Sequence, residues 1–306
     1  MRTLSEPFIA TVIQATPVFF NKHAIIEQVI SLTREAAGKD KSKLILFPEV
    51  FIPGYPRGLS FGTVVGSRSE AGRELFLKYW EESVQIPGPE TTILASLAKE
   101  LKVWLCIGVT EKDTVSDTLF CSLIYFSPDG IIAGKHRKIK PTAAERIIWG
   151  EGSGDDLNVV DSQLGKIGGL ICWENYMPLA RTALYAQGIE IYLAPTADCR
   201  NTWQSTLQHI ALEGRCFVLG SNQYVQKEHI PDHLLDQLPD DYSGSSGGSV
   251  IINPLGKIIA GPLYNQEGRL SAEINHRDII KGKMDFDPIG HYARPDIFQF
   301  SYSGKS

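Results

Sequence analysis

Long apolar runs are the first thing this 306-residue chain lacks. No stretch approaches the roughly 18 residues that a membrane-crossing helix needs, so no span is expected. The opening segment "MRTLSEPFIATVIQA" has no apolar core of the secretory kind, so no leader is expected either. Cysteine is scarce and dispersed: Cys106, Cys121, Cys172, Cys199 and Cys216 are odd in number and show no C-x-x-C spacing. That excludes a disulfide framework, fits a reducing compartment, and makes a cytoplasmic location the expectation. Excess positive charge is also missing, with 30 Lys and Arg against 35 Asp and Glu and a net charge of −5. A nucleic-acid or anionic-membrane partner would call for a basic face, so neither is expected. There is no Walker pattern and no G-x-G-x-x-G after a strand, which leaves phosphate and dinucleotide binding without motif support.

What is there is the composition of an ordinary globular chain, 43% hydrophobic and 21% charged, long enough to bury a core unaided. Strand-like and helix-like segments alternate. "FIATVIQA" and "SKLILFPEV" read as strands, and residues 22–37 carry the three- and four-residue apolar spacing of an amphipathic helix. Residues 70–83 and 90–101 also read as helical. "TLFCSLIYFSPDGIIAGKHRK" and "SVIINPLGKIIAG" read as hairpins turning at "SPDG" and "NPLG". Hairpins rule out a purely parallel sheet and point to a two-layered, mixed-sheet core flanked by helices. Residues 226–248, polar, acidic and rich in Pro, Gly and Ser, read as a long surface loop.

Two apparent motifs fail on context. Gly244, Ser246 and Gly248 match G-x-S-x-G, but that elbow needs a strand before the serine and a helix after it. His229 and His233 have helical ligand spacing, yet Pro231 stands between them, so no metal site is expected. Three polar residues stand out instead at the ends of apolar runs: Glu49 after "LILFP", Lys138 in "GKHRKIKPT" and Cys172 closing "GGLIC". Ends of strands are where α/β folds place ligands. Taken singly, each has a structural reading: a cap, a solvated lysine, a small core hydrophobe. Taken together they suit thiol chemistry, with a carboxylate base, an ammonium to stabilise negative charge and lower the thiol pKa, and a nucleophile. Spacing alone does not show whether the three meet.

The blocks "FPEVFIPGYPRG", "GKHRKIKPTAAERIIWGEG" and "GGLICWENYMPLARTALYAQGIEIYLAPTAD" resemble, in order, the catalytic blocks of the nitrilase family within the carbon–nitrogen hydrolase superfamily. "CWEN" with "HRKIKPT" resembles the nitrilase branch, and "YPRGLSFGTVVGSRSEAGRELFLKYW" is similar to plant-type and β-cyanoalanine-type members. The resemblance implies a four-layer αββα sandwich. It implies a single domain over 1–306, with a core at about 8–283 and a C-terminal tail at 284–306. It also implies a Glu49–Lys138–Cys172 triad with Glu145 as a second glutamate orienting Lys138, and no cofactor. The expected reaction is hydrolysis of a small-molecule nitrile to acid and ammonia through a covalent intermediate on Cys172, with some amide as a possible side product. An amidase or carbamoylase using the same triad, or a non-catalytic scaffold, are the alternatives. Trp173, Tyr55, Ala197, Trp149 and Trp203 are the candidates for contacting substrate, and the small Ala197 suggests room for a substituent. The backbone N–H of Trp173 is a candidate second donor to the developing charge. A homo-oligomer built from dimers is expected. The end at Ser306, soon after "GHYARPDIFQF", argues against long filaments.

Overall fold

The computed structural model describes residues 6–304. The first residues of the segment read for a leader, and the outermost ends of the 1–306 domain, lie outside them. Two mixed sheets of seven strands each form the centre of the molecule. The first runs Gly268–Ile274, Phe8–Gln14, Ser42–Leu46, Trp104–Lys112, Leu119–Phe126, Ile132–Arg137, with Val84–Gln85 beside Trp104–Lys112. The second runs Tyr224–Val225, Ser245–Ile252, Phe217–Asn222, Ile191–Thr196, Gly165–Gly169, Val160–Ser162, with Ile258–Tyr264 beside Ser245–Ile252. In each sheet three neighbouring strands are parallel and the hairpins add antiparallel edges.

The layering follows from the period of two along each strand. Leu44 and Leu46 enter the core between the sheets, while Ile45 and Phe47 face the helices outside. Trp104 and Cys106 alternate with Leu105 and Ile107 in the same way. In the second sheet, Ile191, Leu193, Phe217, Leu219 and Ile251 point inward and Tyr192, Val218, Val250 and Ile252 outward. Helices Lys22–Lys39 and Pro89–Leu101 cover the first sheet with Ile25, Val29, Leu94 and Ala98. Helices Pro178–Ala186 and Thr202–Gly214 cover the second with Leu184, Leu207 and Ile210. The result is the αββα sandwich.

Two local readings need correction. The strand in "GKIGGLIC" stops at Gly169, so Cys172 stands beyond its end and opens a short 3-10 turn, Cys172–Tyr176. Residues 226–248 are not all surface loop. Ile230 and Leu234 are buried in the core between the sheets, Asp232–Leu235 is a short helix, and a strand begins at Ser245. The apolar residues in "HIPDHLL" anchor a segment whose overall polarity suggested none.

Candidate active site

Three strand ends, those of Ser42–Leu46, Ile132–Arg137 and Gly165–Gly169, converge at one site. Glu49 lies three residues past Ser42–Leu46, in a turn that crosses closely over Gly108 of Trp104–Lys112. Phe51 N donates to Gly108 O at 2.7 Å and Gly108 N to Pro48 O at 3.2 Å, tying that turn to the strand beneath. From the opposite sheet, Gln223 Nε2 donates to Glu49 O at 2.7 Å. Lys138 directly follows Ile132–Arg137, its N–H donating to Cys121 O at 2.8 Å. Cys172 adopts a left-handed backbone, φ 52°, held from behind by Asn175, whose amide donates to Leu170 O at 2.9 Å and Cys172 O at 2.8 Å. Tyr192 OH in turn fixes the Asn175 carbonyl oxygen at 2.7 Å.

The side chains meet. Lys138 Nζ donates to Glu49 Oε1 at 2.8 Å and to Glu145 Oε2 at 2.7 Å, and its side chain is fully buried. Glu145 also accepts from Tyr55 OH at 2.7 Å and from Thr142 N at 2.7 Å. Glu49 Oε2 is buried and has no hydrogen-bond partner among the described residues. Thr196 Oγ1 donates to Cys172 Sγ at 3.1 Å. Cys121 Sγ lies 3.6 Å from Glu49 Oε1, a contact nothing in its apolar strand suggested.

Burial governs the protonation of these groups. It pushes the Glu49 carboxyl above its ordinary value, against the pull of Lys138. It pushes the Cys172 thiol well up, with Glu49 adding to the shift and Lys138 opposing it. The ammonium acts on the thiol in the expected direction, but desolvation and Glu49 outweigh it and the net shift is upward. Burial alone would lower Lys138, but Glu49 and its other neighbours hold it well above its usual value, so it is charged.

The cleft beside Cys172 has a volume of about 230 Å³ and is lined by Tyr55, Glu145, Trp173 and Ala197 together with Arg57, Asp198 and Arg200. Trp173 is 40% exposed. Its indole donates to Asp198 Oδ2 at 2.8 Å, and the Arg200 guanidinium lies 4.7 Å from its ring centre. Arg57 donates to Ala197 O. The signal for Asp198 and Arg200 was their place just after Ala197 in "PTADCR". Trp149 and Trp203 do not line this cleft. Trp149 is 3% exposed and packs 5.8 Å from Tyr55 on a neighbouring cavity. Trp203 is 1% exposed, because it sits on the same helical face as Leu207, Ile210 and Ala211 and points into the core.

The basic run "KHRKIK" is mostly paired. Lys135 and Arg137 bind the buried Glu111, His136 binds Glu174, and Lys140 meets Glu151. No group of three or more His, Cys, Asp or Glu among the described residues is arranged to hold a metal ion, and no described helix is long and apolar enough to cross a membrane.

A thiol, two carboxylates and a buried ammonium around one cleft, between two stacked sheets, define a class, and comparison with known proteins agrees. Residues 9–283 match the model of the carbon-nitrogen hydrolase family, and the chain belongs to that family. It is 47% identical to Nitrilase 1 of Arabidopsis thaliana over 298 residues, covering 95% of this chain and 85% of the relative. It is 48% identical over 294 residues to a bifunctional nitrilase/nitrile hydratase of Nicotiana tabacum, covering 94% and 84%. Its fold is similar to that of Saccharomyces cerevisiae Nit3, a nitrilase-superfamily member. The TM-score is 0.75 at 20% identity, covering 96% of this chain and 99% of that one.

Proposed function

We propose that this chain is a nitrilase that converts a small organic nitrile and water to the carboxylic acid and ammonia, with Cys172 as nucleophile. The observation that carries this reading is the buried contact of Lys138 with Glu49 at 2.8 Å and with Glu145 at 2.7 Å at the cleft that holds the thiol. The names of the two relatives support nitrile as the substrate group.

Glu49 takes the thiol proton as Sγ attacks the nitrile carbon, and the nitrogen gains the proton, giving a thioimidate. Lys138 stabilises negative charge as it develops, with the Trp173 N–H as a second donor. Water adds with Glu49 as base. Loss of ammonia leaves a thioester, and a second water releases the acid and restores the thiol. If the tetrahedral species breaks its C–S bond instead of its C–N bond, the amide leaves. The bifunctional tobacco relative supports a share of that product. Glu145 orients Lys138 and does not itself react. Tyr55, Trp173 and Ala197 contact the substrate, and Arg57 and Arg200 favour a polar substituent. The reading includes no cofactor and no nucleic-acid or membrane partner. It includes a cytoplasmic location, supported by five dispersed free cysteines, and a homo-oligomer built from dimers, supported by the family resemblance.

The test is a panel of nitriles and their matching amides, with ammonia, acid and amide all quantified. Acid and ammonia from nitriles, lost in a folded Cys172→Ala variant, are expected. Turnover of amides alone, or undiminished turnover in that variant, would overturn the reading.

A further inference from the structure

We propose that the buried His136–Glu174 pair is a positioning device that holds the Cys172 turn in register with Lys138. It rests on the nitrilase reading above. Glu174 lies two residues after Cys172, yet it points away from the cleft into the interior, and its side chain is fully buried. It accepts three hydrogen bonds. Ile171 N donates to Oε2 at 2.7 Å, Ile139 N to Oε1 at 2.6 Å, and the His136 Nε2 contact to Oε2 is 2.8 Å.

Ile171 immediately precedes the nucleophile and Ile139 immediately follows Lys138. One carboxylate therefore grips both sides of the reaction, although they belong to different sheets. His136 completes the grip from the strand that delivers Lys138. Its Nδ1 is 2.7 Å from Asp156 O, so both ring nitrogens face oxygens and each donates a proton. The imidazolium this requires agrees with a pKa above the usual value: burial would lower it, and the charge and hydrogen bond of Glu174 together with Asp156 more than offset that. A pair serving only the fold has no need to end on the neighbours of the two reactive side chains.

Glu174→Gln is the decisive variant. An amide has one acceptor oxygen, so one of the backbone grips meets an N–H₂ group instead, whichever way the side chain turns. A displacement of roughly 1 Å between thiol and ammonium costs about a hundredfold in rate, so kcat is expected to fall by that order with KM within about threefold. His136→Gln keeps a donor toward Glu174 and is expected to hold kcat within about tenfold of the parent, whereas His136→Ala falls further. Three results overturn the proposal: a Glu174→Gln kcat within about threefold of the parent, a loss matched by a remote core variant of equal melting temperature, or equal kcat in His136→Gln and His136→Ala. The histidine pair decides the matter if Glu174→Gln does not fold. If the parent turns over no nitrile, the nitrilase reading fails separately. The device is then judged by the rate at which methyl methanethiolsulfonate modifies Cys172, followed by peptide mass spectrometry. A change of about tenfold or more in Glu174→Gln supports it, and an unchanged rate overturns it.

Discussion

Replacing Gly108 with alanine tests how the fold aims Glu49, without touching a polar atom. A Cβ at residue 108 would lie 2.4 Å from Pro48 O, 2.6 Å from Val50 N and 2.7 Å from Glu49 Cα. All three are backbone atoms, so no rotamer change relieves the clash. Ordinary contact begins near 3.5 Å, so the turn has to lift by roughly 1 Å. The hydrogen bonds that Gly108 donates to Pro48 O and accepts from Phe51 N, and the grip of Gln223 on Glu49 O, oppose that movement. Overpacking of this kind costs about 1–3 kcal/mol of stability. A carboxylate displaced by 1 Å from the thiol and Lys138 costs about a hundredfold in kcat. The assay is ammonia release from the preferred nitrile, with circular dichroism to show that the variant is folded. Gly38→Ala is the control: its Cβ would meet nothing within 4 Å, and activity should be unchanged. There the helix should gain about 0.5–1 kcal/mol. A folded Gly108→Ala enzyme with kcat within threefold of the parent would refute the reasoning, because Glu49 would then not depend on that close approach.

Further predictions concern the groups around that turn. Tyr55→Phe removes the donor at 2.7 Å from Glu145 Oε1 and should cost about 1–3 kcal/mol of stability and lower kcat by about tenfold. An unchanged melting curve and rate would show that water replaces the phenol. Burial raises the Glu49 carboxyl above the ordinary 4.5, so kcat/KM should fall on acidification at a pH above that value, as the base becomes protonated. By linkage, the same shift makes the folded state bind its proton more tightly than the unfolded chain, so this group's contribution to stability falls as pH rises between the two values. An acid limb below 4.5 would contradict the assignment of Glu49 as the base. Trp203→Phe should lower stability by about 1–3 kcal/mol and leave KM unchanged, since Trp203 is 1% exposed in the core. A changed substrate preference would return it to the pocket.

The layers were legible because they are written in local periods. The alternation in "SKLILF" and "WLCIGV" separates residues facing the other sheet from residues facing helices, and the two hairpins announced mixed sheets. The site was legible only as candidates at the ends of apolar runs. Glu49 and Lys138 are 89 residues apart, and no local pattern reports that they share a hydrogen bond. The resemblance of whole blocks supplied the grouping. What stayed hidden depends on three-dimensional neighbours. Cys121 reads as one more apolar strand residue but faces Glu49. Trp203 was a candidate for the pocket by residue type, with core packing as the alternative, and the helical stripe it shares with Leu207, Ile210 and Ala211 places it inside. Glu174 was not singled out in the sequence, and only the folded structure shows its three buried partners.

Burial of the thiol, which outweighs the pull of Lys138, separates two kinds of cysteine enzyme. In an exposed electropositive site, a cation stabilises a resting thiolate. Here the cation is already bound to two carboxylates, Cys172 is 5% exposed, and burial and Glu49 both raise its pKa. A thiolate would add another negative charge beside Glu49 in a site with little water to screen it. The resting thiol is therefore neutral. In the proposed mechanism its proton moves to Glu49, whose own raised pKa makes it the better acceptor, as the C–S bond forms. Reactivity then belongs to the complex with substrate and not to the free thiol. Cys199, half-buried on the same cleft, provides the comparison within one molecule. At neutral pH methyl methanethiolsulfonate should modify Cys199 before Cys172, whereas a substrate analogue carrying a nitrile should form its covalent adduct on Cys172 and leave Cys199 free. If the reagent modified Cys172 first in the free enzyme, the thiol would be ionised at rest and desolvation would not be the dominant influence on it.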